Sequence, residues 1–299
     1  MIDGALLLDK AVGLSSNAAL QQAKRLYGAS KAGHAGTLDP LASGLLIVLF
    51  GEATKFAGPL LDSDKEYLAT LRLGVTTRTG DAEGEVLETR PVDVSEDRLA
   101  AALRRFRGPI EQLPPMHSAL KRGGVPLYKL ARRGETVARA TRRVEIFELE
   151  IMKYSPPSLE LRVRCSKGTY VRTLAEDIGA ALGTGAHLAG LRRTSSGPFR
   201  LSDALTMDAL AELAPEDRRR RLLPLPRLLE GLPRAELDPT SEARLRNGQE
   251  IRIGGLAEGL CALYRPDGAV IGLARGEAGG TLRPLRLTRS ITQAAEKHR

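Results

Sequence analysis

Gly33-His34-Ala35-Gly36-Thr37-Leu38-Asp39-Pro40-Leu41-Ala42-Ser43-Gly44 decides how this chain reads. It is a polar, glycine-punctuated turn that runs straight into the apolar stretch Leu45-Leu46-Ile47-Val48-Leu49-Phe50. Glycine permits backbone conformations that other residues resist. Asp39 precedes Pro40, which biases it towards extended geometry and away from helix. An isolated Asp-Pro is most often a turn whose Asp caps its own backbone. A carboxylate on a tight loop at the mouth of a hydrophobic strand is also well placed to act on a bound ligand.

Outward from this stretch the chain alternates strand and helix patterns. Residues 4–9 read as a short apolar strand, and Ser15 or Ser16 can cap a helix over 17–27 with Leu20, Ala23 and Tyr27 on one face. Residues 45–50 read as a buried strand. Residues 66–73 alternate, with Tyr67, Ala69, Leu71 and Leu73 on one side. Ser95 caps a helix whose first turn carries Glu96 and Asp97, which suit the positive end of its dipole. Two strands, 144–154 and 159–165, are joined by Ser155-Pro156-Pro157-Ser158 and resemble a hairpin. Val171, Leu174, Ala175, Ile178 and Leu182 then mark an amphipathic helix. The N-terminal region is therefore α/β.

The 299 residues suffice for one large domain and a small one. Lys+Arg number 45 against 36 Asp+Glu, a formal charge of +9, which favours polyanion partners. The run Ala5-Leu6-Leu7-Leu8 is too short for a signal peptide or a membrane span, so no membrane association is expected. Cys165 and Cys261 form no CxxC pair and read as reduced thiols of a cytoplasmic protein. His34, His117, His187 and His298 show no ligand spacing, so no metal is expected. No GxGxxG or P-loop follows a strand, which argues against ATP or NAD chemistry and for no cofactor. No oligomerisation signal is present, and a monomer is expected.

Residues 117–143 hold eight cations (Lys121, Arg122, Lys129, Arg132, Arg133, Arg139, Arg142 and Arg143) and one acid, Glu135. Gly123-Gly124 and Gly134 weaken regular structure there. Such an excursion is either a solvated face or an arm that clamps a phosphate backbone. Arg218-Arg219-Arg220-Arg221 and the prolines after it, Pro224, Pro226 and Pro233, suggest a linker. Residues 234–287 show short alternating runs and glycines, which predict a small β-barrel. The tail beyond it is expected to fray.

The opening run resembles the catalytic motif of the TruB-type tRNA pseudouridine synthases, which isomerise a uridine in the tRNA T loop, at position 55. Ser166-Lys167-Gly168-Thr169-Tyr170-Val171-Arg172-Thr173-Leu174 resembles the family's second signature, and Leu113-Pro114-Pro115-Met116-His117-Ser118-Ala119-Leu120-Lys121 resembles the start of its inserted thumb. The resemblance covers most of the chain. It implies a pseudouridine synthase fold: a mixed, largely antiparallel central sheet with flanking helices, a basic thumb at about 108–143, and a PUA-like barrel. The implied catalytic domain is 1–230, the PUA-like RNA-binding domain 234–290, and the tail 291–299. The implied partner is the T arm of tRNA.

By motif position the resemblance makes Asp39 the catalytic aspartate. It could attack covalently, or remove a proton from the sugar and stabilise the cationic carbon left behind. Arg172 is its natural partner, since a guanidinium can grip a carboxylate bidentately. Tyr67 matches the Tyr that stacks on the flipped uracil, Tyr170 the Tyr that closes the pocket, and Leu191 an apolar wall residue. His34 matches the residue that intrudes into the T loop. Lys10 matches a support of the Asp39 loop and Lys55 a phosphate contact. Lys121, Arg132, Arg133, Arg142 and Arg143 are the implied RNA-binding cations of the thumb. Two rivals stand beside this reading. One is the guide-RNA-dependent relative, in which a Lys typically follows the Asp-Pro where this chain has Leu41. The other is a non-catalytic tRNA-folding protein.

Overall fold

The computed structural model describes residues 2–118 and 120–289; the tail at 291–299 lies outside them. The N-terminal region runs β1 (Gly4–Lys10), α1 (Ser16–Tyr27), β2 (Ala32–Ala35), β3 (Ala42–Phe50) and β4 (Lys65–Leu73). Then come α2 (Glu96–Arg104), β5 (Gly108–Gln112), β6 (Arg142–Ser155), β7 (Ser158–Cys165) and α3 (Val171–Leu182). It closes with β8 (Ala186–Ser196), β9 (Phe199–Arg200) and β10 (Leu205–Thr206). These strands form one ten-stranded sheet, with backbone order β10-β1-β3-β8-β4-β7-β6-β5; β9 pairs with β8 and β2 with β3. Only β10–β1 and β3–β8 are parallel, so the sheet is mixed and largely antiparallel.

Local signals explain the elements. The Ser15 hydroxyl accepts from the Ala18 N–H and caps α1, and Gly28 ends it in the left-handed region. The Ser95 hydroxyl likewise caps α2. β3 is buried on both faces, which is why it reads as a continuous apolar run rather than an alternating one. Leu46, Val48 and Phe50 face α1, while Leu45, Ile47 and Leu49 face Phe56, Leu60 and the C-terminal sheet. α2 and α3 cover the buried face of β4, β6 and β7 in a further core.

The C-terminal unit contains β11 (Arg234–Glu236), α4 (Pro239–Arg246), β12 (Ile251–Arg252), β13 (Gly259–Tyr264), β14 (Val270–Glu277) and β15 (Thr281–Leu287). Its sheet order is β11-β13-β14-β15-β12, a half-barrel compatible with the PUA-like expectation. Ala262, Tyr264 and Leu273 share a core with Leu45, Ile47 and Leu49, so the two units are packed together.

Two sequence expectations change. The stretch from Arg218 to Pro233 is not a loose linker. Arg218, in the last turn of the helix Pro215–Arg220, donates to the carbonyls of Leu26, Leu210 and Leu213, while Leu228 and Leu229 are buried in the shared core. The leucines between the prolines supply the apolar surface that holds it down. The basic excursion is also shorter than 108–143. Residues 108–112 form β5, and Arg142 and Arg143 open β6, opposite Gln112 and Glu111. Between these strands lie the described residues 113–118 and 120–141, with a small hairpin at 121–126 and a short helix, Leu127–Ala131.

Candidate active site

Strand register brings the site together. β8 lies between β3 and β4, so Arg193 is opposite Gly44 on one side and Tyr67 on the other, and Leu191 is opposite Ala42 and Ala69. The loop carrying Asp39 enters β3 at Ala42 and therefore emerges beside these residues. β7 pairs with β4 and ends at Cys165, six residues before α3, which sets Tyr170 and Arg172 over the same spot. The result is a cavity of about 590 Å³ lined by Asp39, Tyr67, Tyr170, Arg172 and Leu191, among others.

Arg172 Nη2 lies 2.9 Å from Asp39 Oδ2. The arginine is buried, whereas the Asp39 side chain is 46% exposed and faces the cavity. The contact is not the bidentate fork the sequence suggested, because the guanidinium is shared. Nη1 donates to the Thr79 carbonyl (3.2 Å) and lies 3.7 Å from Asp81 Oδ2; Nη2 also donates to the His117 carbonyl (2.6 Å). One cation thus joins the Asp39 loop, the 77–81 turn and the base of the thumb.

The Asp39 loop is held from beneath. The Leu38 N–H donates to Ser16 Oγ at 2.7 Å, Ser16 Oγ in turn donates to the Leu38 carbonyl, and the Gly13 N–H donates to the Pro40 carbonyl. Ser15 takes the helix cap, which leaves Ser16 for this task. Lys10 is buried with its ammonium on the carbonyls of Ala11 and Leu14, in the turn that packs under the loop. Burial pushes its pKa down to about 8, partly opposed by the attraction of Asp39.

Arg193 is the largest buried side chain of the cavity wall and was missed by the sequence reading. It is fully buried, donates through Nε to the Leu45 carbonyl and through Nη2 to the Gly36 carbonyl, and lies against the Tyr67 hydroxyl. Burial raises the Tyr67 pKa, and Arg193 pulls in the opposite direction. Gly36, at φ +94°, leaves room for this guanidinium: a Cβ there would stand 3.2 Å from Arg193 Nη1. Gln112, also missed, is buried and grips the Tyr170 backbone from both sides, accepting from its N–H and donating to its carbonyl. Arg142 lies over the Tyr170 ring, 5.4 Å from its centre.

Other expected residues fall outside the cavity. His34 stands on β2 opposite Val48; its Nδ1 is buried without a hydrogen-bond partner among the described residues, and burial lowers its pKa. Lys55 is not an open phosphate contact. Its ammonium is 2.7 Å from Glu52 and donates to the Leu287 carbonyl at 2.8 Å, so it ties the segment after β3 to the C-terminal sheet. Lys121, Arg132, Arg133 and Arg143 are exposed, with Arg132 stacked on the Tyr128 ring. Among the described residues no three His, Cys, Asp or Glu side chains stand close enough to hold a metal ion, and no helix is long and apolar enough to cross a membrane.

Lys65, on the cavity wall, donates to the carbonyls of Leu60, Leu61 and Ser63, and burial pushes its pKa down to about 8 from an ordinary 10.5. Between these values the folded chain has released this proton and the unfolded chain still holds it. Unfolding then takes up a proton, so the stabilising contribution of Lys65 grows as pH rises through that window. Urea unfolding of wild type and Lys65→Met at about pH 7 and about pH 9, roughly one unit either side of the folded-state value, checks this. The stability gap widens in favour of wild type at the higher pH; a gap independent of pH contradicts it.

A mixed sheet sets an Arg-paired aspartate and two tyrosines around one cavity, and the fold is that of a pseudouridine synthase. Family models bear this out along the chain. Residues 24–171 match the N-terminal domain of the TruB family pseudouridylate synthases, residues 172–230 the tRNA pseudouridylate synthase B C-terminal domain, and residues 233–288 the C-terminal part of pseudouridine synthase II TruB. The chain belongs to the TruB family and is an isomerase of the bacterial type. Relatives named tRNA pseudouridine synthase B include one from Burkholderia mallei, 54% identical over 96% of this chain and 97% of its own length. Another, from Chromohalobacter salexigens, is 52% identical over 99% of this chain and 97% of its own. Among solved structures, an H/ACA RNP bound to a substrate RNA containing 2′-deoxyuridine superposes with TM-score 0.74 at 25% identity, covering 96% of this chain and 85% of that one. A Cbf5-Nop10-Gar1 complex gives 0.73 at 27%, covering 96% and 84%.

Proposed function

We propose that this enzyme converts a uridine of the tRNA T loop, at position 55, to pseudouridine, with Asp39 as the reacting carboxylate and without cofactor or guide RNA. The observation that carries the reading is the Asp39–Arg172 pair, buried on the arginine side and open to the cavity on the aspartate side. In the reaction the N1–C1′ bond breaks, a C5–C1′ bond forms, C5 gives up a proton and N1 gains one. The composition of the base is unchanged, so no oxidant, reductant or co-substrate is needed. An aspartate can serve by attacking the sugar, or by taking a proton from it and stabilising the cation. Both roles need the carboxylate held in place, and the adjacent guanidinium orients it. Tyr67, Tyr170 and Leu191 supply the walls against which an everted base would pack. The division into a catalytic unit, 1–230, and an RNA-binding unit, 234–290, belongs to the same proposal.

Tritium release from C5-labelled uridine in bare tRNA transcript tests the whole reading. Release with no other protein or RNA present is the expected result. Binding without release leaves the tRNA-folding reading, and release only on adding a guide RNA leaves the guide-dependent one. Identity of 51–54% to relatives named tRNA pseudouridine synthase B, against 25–27% to the H/ACA structures, favours the stand-alone enzyme.

The thumb cations make a separate prediction. Arg132, Arg133 and Arg143 are exposed, and Arg142 is partly so, at the foot of the arm. Each phosphate they neutralise adds a little under one unit to the salt slope on helical nucleic acid. Changing all four to Gln flattens the slope and weakens tRNA binding, while the rate at saturating tRNA changes much less. Superimposable isotherms across a salt series reject the clamp.

A further inference from the structure

The cavity contains one polar side chain that the proposed chemistry leaves unused. Ser118 lies on its wall at 5% exposure, and its Oγ is buried with no hydrogen-bond partner among the described residues. The cationic side chains of that wall, and Thr169, are already engaged. Arg172 serves Asp39, Thr79 and His117; Arg193 serves Leu45 and Gly36; Lys65 holds three carbonyls; Thr169 Oγ1 donates to Ser166. A buried hydroxyl without a partner loses its bond to water and gains none in return, so its retention needs a reason.

The backbone fixes where this hydroxyl sits. The Ser118 N–H donates to the Met116 carbonyl, and the Ser118 carbonyl accepts from the Tyr128 N–H at the start of the thumb's short helix. The preceding carbonyl, of His117, is the one held at 2.6 Å by Arg172. Ser118 is therefore anchored at the thumb base on the same guanidinium that pairs with Asp39. A uracil base seated between Tyr67 and Leu191 leaves water with two carbonyl oxygens, each of which needs a donor. The cationic donors of the cavity are tied to the protein, and among its neutral hydroxyls Ser118 Oγ is the one buried without a partner among the described residues.

We propose that Ser118 Oγ hydrogen-bonds a carbonyl of the target uracil, which makes Ser118 a substrate-contacting residue delivered by the thumb. The inference rests on the reading of the cavity as a uridine site. Its test begins only with wild-type enzyme that forms pseudouridine in a T-arm RNA; inactive wild type refutes that reading instead and is seen in the first lane.

Single-turnover rates at saturating T-arm RNA are compared for wild type, Ser118→Ala and Ser118→Thr. Losing one neutral hydrogen bond made on the reacting base lowers the Ser118→Ala rate about 5- to 30-fold, with RNA binding changed less than about twofold because phosphate contacts dominate it. Thr restores much of the rate by restoring the hydroxyl. Thermal unfolding keeps a structural role apart: removing an unpartnered buried hydroxyl leaves the midpoint of Ser118→Ala equal or higher, whereas a fall of several degrees marks a structural hydroxyl and overturns the proposal. A substrate cycle locates the contact. With the target replaced by 2-thiouridine or 4-thiouridine, one of the two shows a smaller Ser118→Ala penalty than uridine does. Equal penalties on all three bases overturn the base contact, as does a wild-type rate in Ser118→Ala.

Discussion

Asp39→Asn protein binds T-arm RNA close to the wild-type affinity and forms no detectable pseudouridine. The change keeps the size and shape of the side chain and removes its charge and basicity. Neither role open to the aspartate survives that loss, since an amide is neither a competent nucleophile here nor a base. Removing the reacting group of an enzyme costs on the order of 10⁴-fold or more in turnover, and the C5 tritium assay covers that range. Binding persists because the phosphate contacts proposed for the thumb cations do not pass through Asp39. The fold persists too: the loop is pinned through Leu38 to Ser16 and through Pro40 to Gly13, all by backbone groups and the Ser16 hydroxyl. A gel-shift titration and single-turnover tritium release on the same preparation decide it. Substantial product from the purified variant rejects Asp39 as the reacting carboxylate.

What the sequence makes legible follows from how local each signal is. The caps Ser15 and Ser95, the β6–β7 hairpin and the amphipathic face of α3 are written within a few residues and appear as expected. Asp39, Tyr67, Tyr170, Arg172 and Leu191 were singled out through motifs, and all five line one cavity. The groups that hold them were not visible because their partners are backbone atoms delivered by strand pairing. Arg193 reaches Leu45 and Gly36 only because β8 lies beside β3, and Gln112 meets Tyr170 only because β5 ends near α3. One clue to Arg193 did exist. It stands two residues after Leu191 on the same strand, hence on the same face, and a charged residue on an inward face implies a partner. Lys55 shows another limit: a basic residue that the motifs single out as a phosphate contact also holds two units together, through partners that the sequence does not display. The extent of the thumb was overestimated for a similar reason, since charge marks 117–143 as basic but only pairing with β5 shows that Arg142 and Arg143 are strand.

Arg172→Lys lowers turnover about 10²- to 10³-fold, and the structure says why a retained charge is not enough. The guanidinium makes contacts in several directions at once, to Asp39, Thr79, His117 and, more distantly, Asp81. An ammonium on a shorter, non-planar head cannot span that set, so Arg-to-Lys is not conservative here. Two different defects follow. Asp39 loses its orienting partner, which costs transition-state stabilisation of the size seen when one preorganised donor is removed. The His117 carbonyl loses its 2.6 Å donor, which frees the thumb base and raises KM. The loss also reaches folding: carbonyls of Thr79 and His117 are left short of a donor beside a buried cation, which costs roughly 1–3 kcal/mol in urea unfolding. Rate, KM and stability therefore move together in this variant, whereas Asp39→Asn moves the rate alone. Measuring all three for both variants separates a residue that reacts from a residue that organises. If Arg172→Lys turned over at the wild-type rate, the guanidinium would be holding the thumb only, and the orienting role assigned to the Asp39 contact would be wrong.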